Sequence, residues 1–122
     1  MKLIGDFCHL LDYKNLNDSF TATIKLDRSH IVFKGHFPGH PVTPGVIQIQ
    51  LVHELLEFHL KRSVNLLTID DCKFLHVLDP ESTSQLNVNI ELHKKNGQIK
   101  IKGDGRIDGH VFFKISSMYE LS

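Results

Sequence analysis

The 122-residue sequence predicts an α+β fold, an antiparallel sheet wrapped around one long buried central helix. Three observations predict it. Residues 44–62 are apolar around most of a helical girth, which marks a helix sunk in a core rather than one lying on a surface. Strand-like alternation dominates the rest of the chain. Two turn dipeptides, Asn96-Gly97 and Asp108-Gly109, join alternating segments as hairpins do. One buried helix and several antiparallel strands bury their apolar faces together when the sheet wraps the helix.

In chain order, residues 7–13 form a candidate first strand and residues 15–18 (Asn-Leu-Asn-Asp) a turn. Residues 19–26 alternate, with Phe20, Ala22, Ile24 and Leu26 on one face and Thr21, Thr23 and Lys25 on the other. The helix follows, with Thr43 as its N-cap and Pro44 at the first position, where φ is already set and a missing N–H costs nothing. Ile47, Ile49, Leu51, Val52, Leu55, Leu56, Phe58 and Leu60 make its wide apolar arc, and Gln50, His53, Glu54, Glu57 and Lys61 a narrow polar stripe. Residues 65–78 read as one long strand. Leu86, Val88, Ile90 and Leu92 define the next, and 98–107 and 110–121 complete the sheet.

No linker, repeat or low-complexity stretch divides the chain, so residues 1–122 are expected to form a single domain. A hydrophobic content of 41% and a charged content of 23% are those of ordinary globular protein. Zero formal net charge gives no global field toward nucleic acid or an anionic membrane, and neither is expected as a partner. Cys8 and Cys72 show no metal or disulfide framework, and the first residues lack an apolar leader. Both cysteines are expected reduced, on strands, in a cytoplasmic protein. No histidine–carboxylate cluster has metal spacing (His53 and His59 are six residues apart), so neither metal nor cofactor is expected.

The run 35–46, Gly-His-Phe-Pro-Gly-His-Pro-Val-Thr-Pro-Gly-Val, carries the chemistry. It sets His36 on a Pro/Gly-punctuated loop leading into the helix. A proton carrier is thereby close to the positive end of a helix, where backbone N–H groups can hold an oxygen. That pairing suits chemistry on a carbon next to a carbonyl.

On these residues, together with Ile69-Asp70, Lys73-Phe74, Val77 and Pro80, the chain resembles the hotdog-fold beta-hydroxyacyl-acyl carrier protein dehydratases of fatty acid synthesis. The resemblance covers roughly residues 31–81. The continuation Val46-Ile47-Gln48 resembles a divergent branch linked to aryl polyene or flexirubin-type pigment synthesis. Three positions depart from the family pattern: Gln50 stands where an acidic residue is usual, Glu54 where glutamine is usual, and Leu75 where arginine is usual.

The resemblance implies dehydration of a 3-hydroxyacyl thioester to the trans-2-enoyl product. His36 would be the general base for the C2 proton, its imidazole pKa lying near working pH. The helix start at Gly45 would hold the developing enolate oxygen, or Gly45 merely packs tightly against a strand. Gln50 can hydrogen-bond the C3 hydroxyl but cannot donate a proton as a carboxylic acid would. Either His36 returns its proton to the leaving hydroxyl with Gln50 as a positioning group, or Glu54 reaches the site, or the site only binds acyl chains. The first is preferred; the alternative for Glu54 is ordinary ion pairing, and Glu57–Lys61 reads as a helix-surface pair. His40 is read as structural. Phe33, Phe37, Phe74 and Val77 line an acyl tunnel or pack in the core, and Pro38 and Val46 complete the substrate-binding set.

The resemblance also implies a homodimer joined sheet edge to sheet edge, with His36 of one chain facing Gln50 and Glu54 of the other. Its carrier partner is acidic, and Lys34, Lys61, Arg62 and Lys73 are candidates for a basic rim. Two other readings compete: a hotdog acyl thioesterase, which would call on Glu54, and a non-catalytic acyl-binding or partner subunit.

Overall fold

The computed structural model describes residues 3–5, 7–27, 43, 45–79 and 85–122. Strands β1 (Cys8–Asn15) and β2 (Ser19–Leu26) precede helix α1 (Gly45–Leu60), and β3 (Val64–Phe74), β4 (Leu86–Lys95), β5 (Gln98–Ile107) and β6 (His110–Leu121) follow it. The strands form one six-stranded sheet in the order β1-β2-β4-β5-β6-β3, every pair antiparallel. This is the hotdog arrangement that the resemblance implies.

Local chemistry explains the elements. Asn96 and Gly97 take φ values of 53° and 77°, and Asp108 and Gly109 take 51° and 82°. Two successive left-handed residues make the turn whose twist matches the flanking strands, and Asn-Gly and Asp-Gly tolerate it best. At the β1–β2 turn Asn17 has φ 76°, and its N–H is held by Asn15 Oδ1 at 3.0 Å. The predicted first strand is shifted toward the C-terminus: Phe7 precedes it, and pairing continues to Asn15 against Phe20.

The alternation of β2 and β4 is realised in burial: Phe20, Ala22, Ile24 and Leu26, and Leu86, Val88, Ile90 and Leu92, all point into the core. Leu51, Val52, Leu55 and Leu56 of α1 meet them, each full burial stabilising by roughly 1.5–3 kcal/mol. Phe58, placed in the apolar arc by spacing alone, is instead 47% exposed and stands edge-on to Tyr13. The helix ends at Leu60, and Lys61 takes the left-handed conformation (φ 56°) that closes it. The expected Glu57–Lys61 pair gives way to a different one. Glu57 Oε2 takes the N–H of Val64 at 2.9 Å and lies 3.4 Å from His53 Nε2, because the turn into β3 presents that N–H beneath it.

β3 ends at Phe74, four residues short of the expected limit at 78. The N–H of Leu75 is held by the carbonyl of Phe112, and the carbonyl of Leu78 by the N–H of Thr43, so the chain leaves the sheet to meet the helix start. Cys8 and Cys72 are both free thiols, on the strands at opposite edges of the sheet. No helix among the described residues is long and apolar enough to cross a membrane.

Candidate active site

The helix start is built by two hydrogen bonds. Thr43 N–H donates to Leu78 O at 2.8 Å, and Gln48 Nε2 reaches back to Thr43 O at 3.0 Å. Thr43 does not act as the expected N-cap. Its hydroxyl is buried and makes no hydrogen bond, and it is the backbone N–H of the residue that ties it to the chain leaving β3. The amides of that turn are therefore not engaged by the Thr43 side chain.

Gly45 opens the helix directly beneath the ring of Phe74. A Cβ at this position would sit 2.7 Å from the nearest ring carbon, so only glycine admits so close an approach. The tight packing that the sequence offered as the alternative for Gly45 is present, and it brings the aromatic ring against the helix terminus. A cavity of about 470 Å³ opens here, with Thr43, Gly45 and Gln48 on one side and residues 74–78 on the other. Phe74 (46% exposed) and Val77 (66% exposed) line it and do not belong to the core of the chain. Val46 is 70% exposed at the same end of the helix.

Gln50 and Glu54 come together one turn apart, with Gln50 Nε2 donating to Glu54 Oε2 at 3.0 Å. Glu54 does not belong to the solvated stripe that spacing assigned to it. It is buried, and its carboxylate accepts the N–H of Leu3 at 2.7 and 2.8 Å and of Ile4 at 3.1 Å. These charge-assisted bonds fasten the N-terminal segment across the helix. Gln50 lies two residues beyond Gln48, about 200° around the axis, so within one chain the cavity and the Gln50–Glu54 pair occupy different sides of α1. His36, Phe37, Pro38, Phe33 and His40 lie outside the described residues.

The thiols offer no nucleophile. Burial, with Glu54 second, pushes Cys8 up to about 12, and burial and Asp71 raise Cys72. At the far end of the helix His59 stacks on Phe20 with ring centres 4.3 Å apart, and its Nδ1 bonds the Tyr13 hydroxyl. Burial, then Lys94, lowers its pKa. That cluster is about 21 Å along the helix from Gly45. Among the described residues no three potential metal ligands gather.

Sequence reasoning missed Gln48. It is 4% exposed, yet it lies in the helix's apolar arc. The signal available was an amide side chain flanked by Ile47 and Ile49 at a position whose helical neighbours, Leu51 and Val52, are core.

Similarity to known proteins falls on the same region. A family model described as ApeI dehydratase matches residues 12–110. The 3-hydroxyacyl-acyl-carrier-protein dehydratase FabZ of Lactobacillus helveticus is 29% identical over 112 residues, covering 86% of this chain and 75% of that protein. FabZ of Ehrlichia chaffeensis is 30% identical over 98 residues, covering 76% and 68%. Among solved structures, the dehydratase heterocomplex ApeI:P from Xenorhabdus doucetiae superposes with a TM-score of 0.75 at 21% identity, covering 92% of this chain and 96% of that one. The match to the ApeI dehydratase model spans the sheet from β1 to the start of β6 and includes the whole helix, and the chain belongs to the ApeI-like dehydratase family of the hotdog fold.

Proposed function

We propose that the chain dehydrates 3-hydroxyacyl groups on acyl carrier protein to trans-2-enoyl groups, as a homodimer joined through β3. The supporting observation is the helix start itself. Gly45 lies under Phe74 at a cavity with Phe74, Leu75 and Val77 on one side, and the Thr43 hydroxyl does not occupy the first-turn amides. Family membership supplies the reaction class.

His36 takes the C2 proton as the C2–H electron pair forms the enolate. The thioester oxygen collects that charge against the helix N-terminus, where aligned N–H groups and the macrodipole favour it. As the enolate collapses to the C2=C3 double bond, the C3–O bond breaks and His36 returns the same proton to the departing hydroxyl, giving water. One residue serves both steps, so Gln50 need not be an acid. Its amide instead holds Glu54, and Glu54 holds residues 3 and 4. A thioesterase would have to draw Glu54 out of these bonds, which is why that reading is not preferred.

Mass spectrometry of a 3-hydroxyacyl-carrier substrate should show loss of water and the enoyl product. His36→Ala should reduce turnover by about 10²–10⁴-fold, the usual contribution of a general acid–base group. Unchanged turnover would remove His36 from the mechanism, and absence of product across several chain lengths would remove the reaction.

A further inference from the structure

We infer that Gln48 is the specificity residue for the C3 hydroxyl of the substrate, accepting its hydrogen bond through the side-chain carbonyl. The inference rests on the dehydratase reading and refines it, moving to Gln48 the hydroxyl contact that the sequence assigned to Gln50.

Four observations converge. Gln48 is 4% exposed, and its Nε2 is committed to Thr43 O at 3.0 Å. That bond settles which end of the amide is which, because turning the group over would set oxygen against oxygen. The carbonyl Oε1 is buried and has no partner, an expensive state for an amide acceptor. Thr43, 6% exposed, has its Oγ1 buried and unpartnered as well, and both residues line the cavity beside Gly45.

Geometry then selects the ligand group. Helical side chains lean toward the N-terminus, and Gln48 reaches five residues back, so its free carbonyl lies over the first turn. Gln48 is one turn from Gly45 on the same face. A thioester oxygen held at Gly45 puts C3 and its hydroxyl two carbons away, in reach of that turn. An unpaired carbonyl calls for a donor. The thioester carbonyl has none and the acyl chain has none, whereas the C3 hydroxyl has one. The opposite wall, with Phe74, Leu75 and Val77, suits the apolar carbons on either side.

The test compares 3-hydroxyacyl-pantetheine with saturated acyl-pantetheine of equal chain length. Affinities are measured by calorimetry in the His36→Ala background, with and without Gln48→Met, a substitution of similar length that lacks both polar ends. The parent should favour the hydroxylated ligand. Gln48→Met should remove about tenfold of that preference and leave affinity for the saturated ligand within about twofold. Equal weakening of both ligands would overturn the inference, since Gln48 would then only brace Thr43 or meet an amide of the pantetheine arm. A parent that binds both ligands equally would overturn it without any Gln48 variant, so a misfolded variant does not block the test. Hydroxyl preference in a chain that forms no enoyl product would uphold this inference while removing the dehydratase reading. Product formation without preference would do the reverse.

Discussion

A carboxylate buried on a helix must find donors, and Glu54 finds them 51 residues away at Leu3. Nothing local in the sequence announces this. Glu54 shares a helical stripe with Gln50 and Glu57, and spacing alone places all three in solvent. The outcome is set by Leu3 and Phe7, which are fully buried and bring the backbone of residues 3 and 4 over the helix. Charge-assisted bonds to backbone N–H groups are each worth about 1.5–3 kcal/mol. Glu54→Ala should therefore lower unfolding stability in urea by about 3–6 kcal/mol, as two N–H groups lose their acceptor. Glu54→Gln keeps one oxygen and should cost about half as much. If Glu54 only anchors this segment, Glu54→Gln should also leave kcat for dehydration within about threefold, whereas a direct acid role would bring the loss of about 10²-fold or more expected of a general acid. Chemical denaturation and steady-state assays on the same two variants decide between them.

At the scale of elements, what was legible followed local rules. β2, β5 and β6 lie where alternation and the two positive-φ turns place them. Elements set by distant partners were less legible. β3 stops at Phe74 because Phe112 and Thr43 take the next backbone groups, a fact the alternation of 65–78 does not contain. The glycines of β5 are similarly opaque as sequence. Gly105 looks like a weakness in a strand, yet a Cβ there would lie 2.1 Å from the ring of Phe113, which is buried in the core. Gly105 pairs with Phe113 itself, and the ladder then shifts register, Arg106 pairing with Val111, so the glycine makes room for the ring beside a β6 irregularity. Gly105→Ala should destabilise by about 1–3 kcal/mol through overpacking. Adding Phe113→Leu should recover part of that loss, since the clash is with the ring. Melting curves of the two single variants and the double variant give the coupling, and independent losses would mean that the backbone, not the ring, limits the site.

At the scale of the molecule, the two ends of the sheet are unequal. Among the described residues β1 closes one edge and β3 the other, and β3 is bonded on one side only, by β6. Leu66, Leu67 and Ile69 on β3 are each more than 40% exposed, and Phe74, Leu75 and Val77 extend the apolar surface to the cavity. The sequence marks these residues as strand, but only the strand order reveals that the strand is an open edge. An exposed apolar edge is a template for another strand. A second copy related by a two-fold axis would set β3 against itself, antiparallel, and join the two sheets into one. It would also continue the apolar surface of residues 74–77 beside the cavity into the partner. Light scattering of the purified protein should therefore give twice the chain mass. The double variant Leu67→Asp/Ile69→Asp should run at the chain mass. Its urea midpoint, measured on the isolated monomer, should change little, because both side chains are already exposed in the chain alone. Its dehydration activity should fall at least tenfold if the site draws residues from both copies. Leu11, 49% exposed on β1 at the opposite edge, provides the control: Leu11→Asp should change neither mass nor turnover. A wild-type protein of single-chain mass that retains activity would overturn the homodimer, and a dimeric double variant would move the interface away from β3.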